Sequence, residues 1–200
     1  MRLIKILKVI FLILLIVSCQ KEKQIDKVIV VPKSIKDQNK ENFKKSKYFD
    51  VDRIMEDKYN VKINGNEASY GELELYYRYN DSKKEEIIPY TLTMVEKHHK
   101  YRYASDAFSH LLEFYTDTPF SYDGTNASLI TYLSNLKKVN SAQKDYLLYF
   151  LELGVKNRAY GCVNYLEILN REGIGMNKNI QRADSLRIIL NELKKEYHTK

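Results

Sequence analysis

The chain has 200 residues, 33 basic and 26 acidic, with 7 glycines, 3 prolines, 2 cysteines and no tryptophan. Gly and Pro together fall well below the roughly 12% of an average protein. That is too few for a β-sandwich or barrel, which needs a turn signal about every 8–12 residues. With 44% hydrophobic and 12% aromatic residues, the chain is also unlike a disordered or collagen-like polymer.

Arg2, Lys5 and Lys8 precede the unbroken apolar run Val9 to Ile16, followed by Val17-Ser18-Cys19. The run is shorter than the ~20 residues a spanning helix needs and has the layout of a secretory signal. Ile16-Val17-Ser18-Cys19 resembles a bacterial lipobox. That resemblance implies a signal peptide over residues 1–18, cleavage before Cys19 and a lipid on its thiol. It places the chain in the cell envelope. By the same resemblance, Gln20 in place of a retention Asp implies the outer membrane, and the periplasmic face is expected. Losing Arg2, Lys5 and Lys8 lowers the formal charge of +7 to +4, an ordinary value for solubility that calls for no nucleic acid. Cys162 is then the one free thiol, in the apolar context Ala159 to Leu166, and reads as a small buried hydrophobe.

Residues 19–49, rich in Lys, Gln, Asn and Glu, read as a lipidated flexible tether, with one apolar cluster, Val28 to Val31, ended by Pro32. Residues 50–68 read as an extended segment or short hairpin arm, because Val61-Lys-Ile-Asn-Gly-Asn66 alternates and then turns. From residue 69 to 200 helix signals dominate. Ser69-Tyr-Gly-Glu72 and Ser82-Lys-Lys-Glu85 are capping-box patterns. Ile87, Ile88, Leu92 and Val95 share one helical face, and Phe108, Leu111, Leu112 and Tyr115 another. Leu129, Tyr132, Leu133 and Leu136 follow a Thr125-Asn126 cap, and Leu147, Phe150, Leu151 and Gly154 follow a Ser141 cap. Two more helices carry Val163, Leu166 and Leu169, then Ala183, Leu186, Leu190 and Leu193.

The chain repeats itself. A shift of 55 residues places Leu92 on Leu147, Val95 on Phe150, Ala104 on Ala159, Ala107 on Cys162, Phe108 on Val163 and Leu111 on Leu166. A shift of 57 places Ser128-Leu129 on Ser185-Leu186, Leu133 on Leu190 and Leu136-Lys-Lys138 on Leu193-Lys-Lys195. Each unit reads as three helices, and stacked units predict an all-α helical-repeat solenoid. Gly173-Ile-Gly175-Met176-Asn-Lys-Asn179-Ile-Gln-Arg-Ala183 resembles the turn of a Sel1-like repeat, a relative of the tetratricopeptide repeat. Glycines end one helix with positive φ, Asn179 caps the next, and Ala183 admits close helix approach. Glu167 and Asn170 depart from the family pattern, which has Gly and Tyr there. The first unit replaces the Gly-x-Gly turn with Thr116 to Gly124. The resemblance implies protein interaction.

No catalytic constellation is spaced along these helices. His98-His99 point about 100° apart on a helix and cannot chelate one metal as an i, i+4 pair does. No phosphate loop, His-Glu-x-x-His or nucleophile elbow is present, so no enzyme, metal or cofactor is expected. Tyrosine is abundant, 17 in all, and supplies rigid amphipathic contact area. In solenoids the first helix of each unit lines the concave face, which makes Tyr90, Lys97, Tyr146, Tyr149 and Glu152 the expected partner-binding residues. The reading is a membrane-anchored protein–protein interaction module, in concrete form an immunity-type protein that neutralises a toxin. An envelope assembly scaffold, or an enzyme acting on glycans or peptidoglycan, is the alternative. Cys19→Ala is expected to abolish labelling by a fatty-acid probe and release the protein to the soluble fraction; unchanged labelling would place the lipid elsewhere.

Overall fold

A computed structural model describes residues 35–198. Cys19, the signal-like segment and the Val28 to Val31 cluster lie outside the described residues. The chain divides into two units, residues 1–36 and 37–200. Among the described residues every regular element is helical and no strand occurs.

Two stretches differ from the sequence expectation. Part of the expected tether is helical: α1 spans Ile35–Lys44, and a 3-10 turn at Lys47–Phe49 follows. Phe43 and Phe49 pack on each other and on Tyr79 and Tyr76 respectively. The expected arm is helix α2, Val51–Asn64. Its start is set by Asp50, whose carboxylate accepts from the Asp52 and Arg53 amides at 3.0 and 3.1 Å, a cap worth ~1 kcal/mol. Ile54 and Val61, seven residues apart on one face, are buried. The alternation at Val61-Lys-Ile is therefore the last turn of a helix. Gly65, at φ +60°, ends it. Asn66 caps α3 (Glu67–Arg78) by accepting from the Ser69 amide; Ser69 itself is buried in the first turn.

The middle of the chain is irregular. Residues Asp81–Ile87 form a 3-10 turn without a side-chain cap, so Ser82 does not act as one. Helix α4 (Ile88–Leu92) runs into a π-helical turn at Thr93–Lys97. Pro89 brings no amide here, and the Thr93 hydroxyl donates back to the Pro89 carbonyl at 2.7 Å. The wider turn lets two successive residues, Met94 and Val95, face inward with no exposure. A single 3-10 turn, Tyr101–Tyr103, leads into α5 (Ala104–Thr116).

Helix α6 (Asn126–Leu133) is capped by Thr125 and tightens into a 3-10 turn at Ser134–Lys137. Helix α7 (Ser141–Lys156) starts with a reciprocal capping box, with Asn140 rather than Ser141 as the cap and Gln143 reaching back. Helices α8 (Tyr160–Glu172) and α9 (Ile180–His198) complete the chain. α2 packs on α3, α5 on α7, α7 on α8 and α8 on α9, and α5 also touches α8. The shared core includes Phe108, Leu112, Phe150, Leu151, Leu166 and Leu190.

The crossing of α5, α7 and α8 is built from small residues. A Cβ on Gly154 would lie 2.2 Å from Cys162 Sγ, 2.6 Å from Cys162 Cβ and 3.3 Å from Ala104 Cβ. Cys162 is wholly buried, and burial pushes its thiol up to about 12, so it is an inert packing group at neutral pH.

The α8–α9 turn uses positive φ at Gly173 and Gly175, +65° and +69°, and a Cβ on Gly175 would meet Leu136 Cδ2 at 2.8 Å. Asn179 accepts from the Arg182 amide at 3.0 Å, and Ala183 is fully buried. The two positions that depart from the repeat pattern are buried polar groups. Glu167, 1% exposed, receives Arg171 from its own helix and Arg187 from α9, both at 2.7 Å. Asn170 donates to the Leu166 carbonyl at 2.7 Å, and its own carbonyl accepts from the Asn179 amide at 2.8 Å.

Gly154→Ala sets two effects against each other. A helix gains about 1 kcal/mol from Ala over Gly, while overpacking a tight core costs about 1–3 kcal/mol. With rigid neighbours under 3 Å the clash wins, so chemical denaturation should show net destabilisation. Adding Cys162→Ala should recover only part, because the Cβ at residue 162 remains.

Candidate interaction surface

The five residues expected at a binding face do not form one face. Tyr90 is 8% exposed. Its ring stacks on Tyr77 at 6.3 Å, and Lys62 Nζ lies 5.5 Å from the ring centroid. It is a core residue joining α4 to α2 and α3, because Ile87, Tyr90, Thr91 and Met94, at i, i+3, i+4 and i+7, make the buried face, while Ile88 and Leu92 are only partly buried. Lys97 is exposed, but its ammonium donates to the Lys62 carbonyl in the last turn of α2. There a cation complements the helix dipole.

Tyr146, Tyr149 and Glu152 do share a face, at i, i+3 and i+6 along α7. The two tyrosine rings lie parallel, 6.4 Å apart at 3°. Each meets the buried Phe150 ring edge-on, at 5.0 and 5.1 Å. Phe150 thus fixes the pair from beneath, and Tyr149 remains 47% exposed. Burial, then the charge of Glu96 and the neighbouring Tyr115, hold the Tyr146 hydroxyl above its ordinary value. Glu96 from the π turn and Tyr115 from α5 therefore border the pair. Glu152 is bound by Arg182 from the first turn of α9. The periodicity assigned Tyr115 to the core, and no spacing along the chain pointed to Glu96 or Arg182. Their placement depends on helices folding back on α7.

A second cluster lies along α5. The Tyr70 hydroxyl from α3 and His110 Nδ1 both meet Thr91 Oγ1, at 2.9 and 3.1 Å, while that hydroxyl reaches the Ile87 carbonyl. Burial, reinforced by Arg78, lowers His110 to about 4, so its imidazole is neutral near pH 7. One turn earlier, burial and the charge of Glu74 raise Asp106 to about 7, against the opposing pull of Arg78 and Arg102. A third group joins α2 to α3: Arg53 grips Glu72 with two donors and holds it below the usual carboxylate range. The buried Asp57 beside it is raised by desolvation, and its Oδ2 has no partner. This arrangement ties two helices together through an occupied carboxylate. Among the described residues no three His, Cys, Asp or Glu side chains gather as metal ligands, and no helix is long and apolar enough to cross a membrane.

Compared with known proteins, the chain matches no family, no curated protein and no solved structure.

The α5 cluster has a pH signature. Asp106 titrates at about 7 folded against roughly 3.9 unfolded. The folded state therefore binds the extra proton between those values, and stability falls as pH rises through that window. His110, at about 4 folded against roughly 6.5 unfolded, acts oppositely: the unfolded state binds more protons, so stability falls as pH drops below 6.5 or so. The two slopes offset each other in mild acid, and Asp106 alone acts from about pH 6.5 upward. Asp106→Asn should therefore be more stable than the parent at pH 8, on the order of 1–3 kcal/mol, with the advantage shrinking toward pH 5. Urea midpoints of both proteins across pH 5–8, on the order of these pKa values, check this; parallel curves would remove Asp106 from the account.

Proposed function

We propose that the protein is a lipid-tethered protein-binding module of the cell envelope, in concrete form an immunity-type protein whose partner is a toxin. The carrying observation is the Tyr146–Tyr149 pair: two parallel rings on a stiff helix, seated on Phe150, with Tyr149 half exposed. Rigid aromatic area held in place before binding loses little freedom on association, and such side chains dominate binding hot spots. Glu96, Glu152 and Arg182 would form the polar rim around this centre. The lipidated Cys19 would place the module at the outer membrane.

The solenoid reading belongs to the same proposal. We take the helical region as two copies of one three-helix unit, the second resembling a Sel1-like repeat over about residues 159–190 and the first lacking its Gly-x-Gly turn. Support comes from the pairs matched by the 55- and 57-residue shifts. Ala104 and Ala159, Ala107 and Cys162, Phe108 and Val163, Leu111 and Leu166 are all buried. So are Leu129 and Leu186, Leu133 and Leu190, Leu136 and Leu193.

A photo-crosslinking amino acid at Tyr149, in the lipidated protein within producing cells exposed to their competitors, tests the reading. A discrete protein adduct is expected. A secreted effector in that adduct supports immunity, a resident envelope protein favours an assembly scaffold, and absence of any protein adduct defeats the proposal. With the captured partner purified, Tyr149→Ala should weaken binding by ~1–3 kcal/mol while leaving the melting temperature nearly unchanged. Unaltered affinity with a lowered melting temperature would return Tyr149 to a purely structural role.

A further inference from the structure

The two ends of the helical unit are finished differently. The outward side of α9, the last helix, is polar apart from Ile180 and Ile188, with Gln181, Asp184, Asn191 and Lys194 exposed. That is how a stack of helices is closed against water. Helix α2, the first long helix, is not closed in this way. Its inner face buries Ile54 and Val61, yet its outer face carries Val51, Met55, Tyr59 and Ile63, exposed by 72, 58, 61 and 53%. Their four-residue spacing draws one apolar stripe along the helix. Soluble surfaces scatter single hydrophobes; a continuous stripe marks something that covers it.

We infer that this stripe lies on the lipid bilayer, so that α2 is an interfacial helix giving the lipid-anchored protein a second point of attachment. The inference rests on the reading of Cys19 as lipidated. Fifteen residues then separate Cys19 from Ile35, and the sixteen steps at about 3.3–3.6 Å each keep the start of the described chain within about 55 Å of the membrane. A tether that short holds the stripe at high effective concentration over the bilayer. The surroundings suit a headgroup layer. Lys44, Lys45 and Lys47 are exposed at this end. Tyr48 and Tyr59, partly or largely exposed, are the amphipathic aromatics that settle at membrane interfaces. At 100° per residue, Asp52 and Glu56 fall together on one flank of the stripe, away from Lys58 and Lys62. Rolling the helix away from the acid flank leaves those acids in water while the stripe stays on the bilayer.

The test uses the full lipidated chain in vesicles of phosphatidylethanolamine and phosphatidylglycerol. Tyr59→Cys carries an environment-sensitive NBD label; Cys162 is wholly buried and stays unlabelled. A matching label at Asn191→Cys on α9 is the reference. An interfacial helix sits about 5–10 Å into the headgroup and acyl boundary, so the Tyr59 site should shift to the blue and lose emission to nitroxide lipids, with the Asn191 site unaffected. If the protein floats with the vesicles but the Tyr59 label stays in water, the inference fails and the lipid tether stands. A blue shift without nitroxide quenching would assign the stripe to a second copy of the chain and overturn the inference. Failure to float would remove the lipidation reading, and the inference with it.

Discussion

Where α5, α7 and α8 meet, there is no room for a side chain on Gly154, and the rest of the fold follows from that contact. Cys162 and Ala104 fill the space that a Cβ would need, so the helices approach as closely as their backbones permit. Close approach fixes which side of α7 is inside. Leu147, Phe150, Leu151 and Gly154 line the buried side, and Tyr149 is left outside with Tyr146 at the margin. The exposed ring pair is thus a consequence of a glycine five residues further along the same helix. Interiors packed at crystal-like density transmit such constraints without softening them.

Polar groups inside the helical body bind particular helix pairs. Glu167 joins α8 to α9 through Arg187, and Tyr70, Thr91 and His110 join α3, α4 and α5. A buried ionic contact adds little net stability compared with well-packed hydrophobes, but removing one partner is costly. Each such group therefore penalises helices that dock in the wrong register more than it rewards the right one.

Helix content was legible in the sequence because Leu, Phe and Val recur at the helical period from Phe108 onward, and the same residues line the core. Punctuation was legible where one residue type has one physical use: Gly173 and Gly175 at positive φ, Asn179 and Thr125 as caps. It failed where context decides. Val61-Lys-Ile-Asn alternates like a strand over four residues, but the Asp50 cap and the buried Ile54 make it a helix end. Ser69 and Ser82 have the right neighbours for capping boxes; Asn66 begins the first helix earlier, and a 3-10 turn replaces the second. The surface was half legible. Tyr146, Tyr149 and Glu152 are near in sequence and stay together, while Tyr90 shares the buried face with Ile87, Thr91 and Met94, a face turned from the one that Ile88 and Leu92 mark. Glu96, Tyr115 and Arg182 come from three other elements, and local spacing carries no record of such meetings.

The Glu167 latch bears on the order in which the molecule can be completed. Arg187 and Asp184, the α9 contributions to the Glu167–Arg171 cluster, are synthesised after α8. Until they arrive, Glu167 has no cover beyond Arg171 of its own helix. Burying that carboxylate early would strand the charge with only Arg171, so premature collapse onto α8 is disfavoured. The α8–α9 pair therefore stays open while α9 is being made, and closes once Arg187 is available to cover Glu167.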